Sequence, residues 1–322
     1  MEIYVADEDM SFDVYCKKAQ QFARGLAKAI KDIMGAKKGK PDAAQKSKIY
    51  EKALKDLYNI QIEVPDGMTN THFDKVFDML GTLPKEHVKQ DSFKKLRYKD
   101  QTNYGGVYYS DCTVEMGDFG KAKGEEGYEI DGQPLAANSF DVTTLHEVGH
   151  AVDAQHSIMI SHGKDTGLGK WEQETADKVA QAQLAELKST ITLKNPVTDT
   201  DLTTAIADAL DTGVPAQPDT IGDDDWKAIL KFLTANCVPI RDAAQPYFNE
   251  PTSVIGDRIY TEASKGDWWS YSSSERGKTK VNLYQWRSPF EWFAEVYAIS
   301  WLKKKKPPAG VGAEAAKYMW QG

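Results

Sequence analysis

The sequence predicts an α+β chain that is mostly helical and carries one small mixed sheet. Three observations lead there. Apolar residues recur at three- and four-residue spacing along several stretches, which is the period of a helix with one buried face. A single segment around residues 104 to 116 is rich in β-branched and aromatic residues and bounded by glycine, which is strand-like. Two further helical stretches, far apart in the chain, are apolar on most faces yet carry His146, Glu147 and His150 in one case and Glu291 and Glu295 in the other.

Taken in order, residues 12 to 34 place Phe12, Tyr15, Ala19, Phe22, Ala23, Leu26, Ile30 and Ile33 at helical spacing, and 45 to 58 repeat the pattern with Ile49, Ala53, Leu54 and Leu57. A Gly- and Lys-rich joint, Gly35 to Pro41, lies between them, and a short helix from Thr71 to Leu80 is stopped by Gly81. These predict a helical N-terminal portion over residues 1–90 and a larger domain over 91–322. Tyr104 to Met116 is expected as strand, and the segment from Phe140 to Val152 as a buried helix. A helical insertion is expected at about 157–265, with helices near 171–189, 200–210 and 223–236. The second begins at Thr198-Asp-Thr-Asp201 and the third at Asp223-Asp-Asp225, acidic N-terminal signals. The last cluster lacks the alternating ligand spacing of a calcium loop, so helix capping is expected of it. Gly266 to Tyr284 reads as a hairpin or flap in which Trp268, Trp269 and Tyr271 serve either core or cleft. Pro289 then opens a helix whose apolar stripe is Phe290, Phe293, Ala294, Tyr297 and Trp301.

With 322 residues and 41% hydrophobic content the chain can bury a full core. No apolar run of about 20 residues would span a membrane, and the first ten residues lack the basic and apolar regions of a secretory signal. The expected location is therefore the cytoplasm of the producing cell, with any export by a signal-peptide-independent route. Cys16, Cys112 and Cys237 are odd in number and widely spaced, so neither a disulfide framework nor a thiolate metal site is indicated. A formal charge of -8 argues against a nucleic-acid partner, and Lys303 to Lys306 reads as a solvated helix end.

Leu145-His-Glu-Val-Gly-His-Ala-Val-Asp153 holds the arrangement H-E-x-x-H. Four residues on a helix turn the chain by about 40°, so His146 and His150 face one way, one turn apart, and can chelate one ion. Zn²⁺ held by two His and a third protein ligand lowers the pKa of a bound water to about 7, and the neighbouring Glu147 can then take its proton. A polar triplet on a helix as apolar as this one needs partners, which a metal would supply.

Two places offer the third ligand. His156 extends the run to a spacing that resembles the metzincin pattern, but Asp153 stands where a helix-breaking Gly would be. If the helix continues, His156 points about 240° away from His150. The other place is Tyr284-Gln-Trp-Arg-Ser-Pro-Phe-Glu-Trp-Phe-Ala-Glu-Val-Tyr-Ala298, where Glu291 and Glu295 share a face. With His150-Ala-Val-Asp153 after the first motif and Phe293-Ala-Glu295 in the second, the chain looks like a gluzincin of the anthrax toxin lethal factor type. The likeness covers roughly residues 140 to 153 and 284 to 298, and about 130 residues separate the two motifs. It implies a zincin-like core, Glu295 as the third zinc ligand and Tyr284 as the hydrogen-bond donor to the oxyanion. Asp153 and Glu291 are expected acceptors for the outer nitrogens of the His ligands, and Glu291 is the alternative third ligand.

The expected activity is a zinc-dependent endopeptidase acting on a protein or peptide. By the same resemblance it would be a toxin or injected effector, with a delivery or immunity partner. A zinc amidase or self-processing protease, and a non-catalytic protein that keeps zinc for structure, stand as alternatives.

Overall fold

The computed structural model describes residues 43–63, 70–99, 105–117, 128–130, 133–135, 137–212, 215–236, 253–264, 266–279, 281, 284–302 and 311. The expected helix at 12 to 34, the joint at Gly35 to Pro41, Cys16, Cys237 and the Lys303 to Lys306 run lie outside the described residues. The fold is α+β and mostly helical, with a four-stranded mixed sheet, a four-stranded antiparallel sheet and a two-stranded ribbon. The chain divides into two compact units, one of residues 1–161, 280–282 and 293–322, the other of 162–279 and 283–292.

In the first unit, helix α1 (Ala43–Tyr58) buries Tyr50, Leu54 and Tyr58, four residues apart on one face. Tyr50 stacks on Phe73 of α2 (Asn70–Leu80) with ring centres 5.7 Å apart. Strand β1 (Gln61–Glu63) pairs in parallel with β2 (Lys95–Tyr98), and a short helix α3 (Lys85–Val88) precedes β2. The segment expected as one strand from Tyr104 is a hairpin: β3 (Gly106–Tyr109) and β4 (Thr113–Met116) pair antiparallel, turning at Asp111 and Cys112, the latter at φ 67°. Strand β4 also pairs in parallel with β2, giving the order β1-β2-β4-β3 and leaving β3 at an edge. All four β4 residues are buried, as expected of an inner strand covered on both faces. The ribbon consists of β5 (Tyr128–Ile130) and β6 (Gln133–Leu135).

Helix α4 (Ser139–His156) follows, and the Asn138 side chain caps it by accepting from the Phe140 amide at 3.0 Å. It runs unbroken through Asp153 and ends at Ser157, whose left-handed φ of 52° stops it ahead of α5 (Ile158–His162).

In the second unit, β7 (Glu172–Glu174) occupies the start of the expected 171–189 helix, which begins instead as α6 (Ala176–Thr190) under a Thr175 cap. Helices α7 (Asp199–Thr212) and α8 (Asp223–Asn236) complete a trio around a core that includes Val179, Leu187, Ile206, Ile229 and Leu233. Thr198 caps α7 by accepting from the Asp201 amide. Of the Asp223 to Asp225 cluster, expected as helix capping, Asp225 is buried and accepts from the Lys194 and Asn195 amides, tying α8 to the preceding connection. Strands β8 (Ser253–Ile255), β9 (Arg258–Ser264) and β10 (Asp267–Ser272) form the second sheet in the order β7-β10-β9-β8. Trp268, Trp269 and Tyr271 are buried, so all three serve the core. A single helical turn, α9 (Ser273–Arg276), and a 3-10 turn at Tyr284–Trp286 lead to α10 (Pro289–Trp301).

Helix α10 is one continuous element whose first turn is counted with the second unit and whose remainder belongs to the first. The stripe expected along it is an underestimate. Every residue from Trp292 to Trp301 is buried, so the helix is a core helix on all sides.

Candidate metal centre

Helix α4 and the part of α10 that belongs to the first unit bring His146, His150 and Glu295 together. On α4, His146 and Glu147 are buried and His150 is half-buried. The Nε2 atoms of His146 and His150 lie 3.1 Å apart, with the rings edge to face. Two imidazole nitrogens each about 2.0–2.1 Å from one tetrahedral ion would stand roughly 3.3 Å apart. The pair therefore has close to the spacing that chelation requires, and also that of a hydrogen bond.

The α10 backbone reaches this pair because Gly149 leaves room for it. A methyl group at Gly149 would stand 3.0 Å from Ala294 Cα and 3.2 Å from Tyr297 Cδ1. The crossing sets Glu295, one residue beyond Ala294, against α4: its Oε1 lies 3.0 Å from His146 Nδ1. A residue only 5% exposed, on the part of α10 that is buried from Trp292 to Trp301, carries a carboxylate that is costly without such a partner. Tyr297, one turn of helix past Ala294, is joined to the buried His87 of α3 (Nδ1 to Oη, 2.8 Å), which ties α10 to a second helix of the same unit.

Glu291 is one turn ahead of Glu295 on the same face of this continuous helix. His146, His150 and Glu291 each offer a ligand atom within 4.8 Å of the others, a His/His/Glu cluster able to coordinate a metal ion. Two imidazole nitrogens and a carboxylate oxygen are a donor set that suits Zn²⁺. The sequence explains how Glu291 is held. Pro289 stands at the first helical position, and the Ser288 hydroxyl accepts from the Glu291 amide at 3.1 Å, half of a capping box.

Tyr284 donates to Glu291 Oε1 at 3.0 Å and accepts from Arg287 Nη1 at 3.3 Å, and Arg287 Nη2 is anchored on the Ala263 carbonyl of β9. Arg287 went unnoticed in the sequence because an arginine three residues after a tyrosine is no motif. Gly149 left a fainter signal, since a helix-interior glycine costs about 1 kcal/mol against alanine and generally has a packing reason.

Asp153 accepts from the Met159 amide at 2.7 Å, so its carboxylate braces the junction of α4 and α5. Burial pushes its carboxyl up to about 6, against the opposing pull of the Met159 amide and of His150. His156 is exposed, on an unbroken helix that turns it off the face shared by His146 and His150. Tyr108 of β3 lies over His150, ring centres 6.2 Å apart and planes 21° from parallel, and its hydroxyl donates to the Ser92 carbonyl. Among the described residues no helix is long and apolar enough to cross a membrane. No protein-family model matches the chain, and neither a curated protein nor a solved structure matches it.

Proposed function

We propose that this chain is a zinc-dependent hydrolase of the gluzincin type that cleaves peptide bonds. The observation that carries the reading is the setting of His146, with Nε2 toward His150 and Nδ1 on the Glu295 carboxylate. A metal-bound histidine commonly keeps its outer nitrogen beside a carboxylate, and the 3.0 Å between Nδ1 and Oε1 is an ion-pair distance that lacks hydrogen-bond geometry. We therefore read His146 Nε2, His150 Nε2 and the Glu291 carboxylate as the groups that would hold Zn²⁺, with Glu295 orienting His146. That exchanges the roles that the resemblance implies for the two glutamates.

When bound there, Zn²⁺ supplies Lewis-acid polarisation and makes water a nucleophile near neutral pH. Glu147 adjoins the His pair in sequence on α4, and in this reading it takes the proton from the attacking water and later returns it to the leaving amine. The Tyr284 hydroxyl, now donating to Glu291, turns to donate to the oxygen that gains charge in the transition state, while Arg287 keeps a donor on the phenol oxygen. The edge strand β3 has one side without a neighbouring strand among the described residues, and an extended peptide could add to it.

The test is a comparison of new protein N-termini in bacterial and eukaryotic lysates treated with the wild type and with Glu147→Gln. Termini produced by the wild type alone, with zinc present in both proteins and a loss of about 10²- to 10⁴-fold in the variant, are expected. Equal products from both proteins would refute the role of Glu147.

A further inference from the structure

Gly106 opens strand β3 with no room for a side chain. A methyl group there would lie 2.7 Å from Glu147 Oε1, 2.8 Å from Glu147 Cγ and 2.7 Å from Thr143 Cγ2. Optimal carbon contacts are about 3.5–4.0 Å. Backbone conformation is not the reason for glycine, since the positive-φ glycines of the described residues are Gly167, Gly169, Gly256 and Gly266. Alanine could adopt the Gly106 backbone, so space alone excludes it.

The strand cannot easily retreat. Gly106 pairs with Met116 of the buried strand β4, and the Gly117 amide donates to the Gly105 carbonyl at 2.7 Å. Two of the three obstructing atoms belong to Glu147, a flexible side chain only 3% exposed. A side chain at 106 would therefore have to displace the Glu147 side chain together with the Thr143 methyl group.

We propose that Gly106 is a positioning residue for Glu147: the bare strand backbone lets the carboxylate lie against the start of β3 in the one orientation that serves as base. The inference rests on the metal-hydrolase reading above and adds to it a residue outside both motifs. It also accounts for the close approach of the edge strand to α4, which a larger residue at 106 would prevent.

Two measurements test it. The first is a double-mutant cycle of thermal unfolding on the metal-free protein, with Gly106→Ala, Glu147→Ala and the pair. Gly106→Ala is expected to lower Tm in the wild-type background and to lower it much less beside Glu147→Ala, where the two obstructing Glu147 atoms are gone. If Gly106→Ala does not fold, the cycle is run with Thr143→Ser throughout, which removes the third obstruction. Additive effects would overturn the contact.

The second is the pH dependence of the visible spectrum of the Co²⁺-loaded protein. Gly106→Ala should bind cobalt, shift the spectral midpoint in the direction that Glu147→Gln shifts it, and lose about 10²-fold in peptide cleavage, the scale of an ångström misplacement. With Glu147→Asp, one methylene shorter, the effect of Gly106→Ala on the midpoint should shrink. An unmoved midpoint in Gly106→Ala would overturn the positioning role even if the cycle shows coupling. Failure of the wild type to bind cobalt would overturn the metal reading and this assignment with it, whatever the cycle gives.

Discussion

The Nδ1 atom of His146 lies 3.0 Å from Oε1 of Glu295, on a helix that the chain reaches only near its other end. The same ring turns Nε2 toward His150 at 3.1 Å. A histidine used in this way leaves its inner nitrogen for an ion and its outer one for a carboxylate, so the two glutamates of α10 should not be equivalent.

Replacement of each glutamate separates these roles. Glu291→Ala should abolish stable zinc binding, while Glu295→Ala should weaken it about 10- to 100-fold, the usual cost of losing an orienting carboxylate. Competition against a chromophoric chelator reads both values. The reverse ranking would restore Glu295 as the ligand.

Tyr284 touches Glu291 but belongs to the reaction in our reading, so its loss should spare the metal. Tyr284→Phe is expected to keep zinc and to lower turnover by about 10²- to 10³-fold, the range for one oxyanion donor. Steady-state kinetics on a peptide found in the lysate experiment would check this. Unchanged turnover would leave the tyrosine a support for Glu291.

The crossing at Gly149 sets how closely α10 approaches the His pair. Gly149→Ala presses a methyl group on the Ala294 backbone, which has little freedom to move. Overpacking of this kind costs about 1–3 kcal/mol. Both Tm and zinc affinity should fall, whereas Gly222→Ala, where a methyl group would meet nothing within 4 Å, should leave zinc affinity unchanged. Wild-type affinity in Gly149→Ala would show that the helices can separate without disturbing the site.

Asp153 predicts a pH dependence of stability. Its carboxyl is raised from the ordinary 3.8 to about 6, first by burial, so between those values the folded protein keeps a proton that the unfolded chain releases. This contribution favours folding most below about pH 4, declines as pH rises through 6, and is a constant penalty above that, at most about 3 kcal/mol. Asp153→Asn can keep the acceptor for the Met159 amide without the charge. In metal-free protein its stability relative to wild type should therefore grow between pH 4 and 6 and then level off. Denaturant unfolding at intervals from pH 4 to 8 would show it, and a flat difference would mean that Asp153 ionises as it does in the unfolded chain.

The sequence by itself determined the helix of His146, Glu147 and His150, the helix of Glu291 and Glu295, and the face each residue shares, because a period of 3.6 residues needs only local information. It determined most helices of the second unit for the same reason. The single strand expected from Tyr104 was in fact a hairpin, since β propensity marks extended chain without saying where the ladder turns back. Local pattern also could not say which His146 nitrogen meets which glutamate, that Gly149 lets two helix backbones nearly touch, or that Gly106 lies against Glu147. Those are distances between elements remote in the chain. They are decided by close packing of the whole unit, in which a volume change of even one methylene is felt.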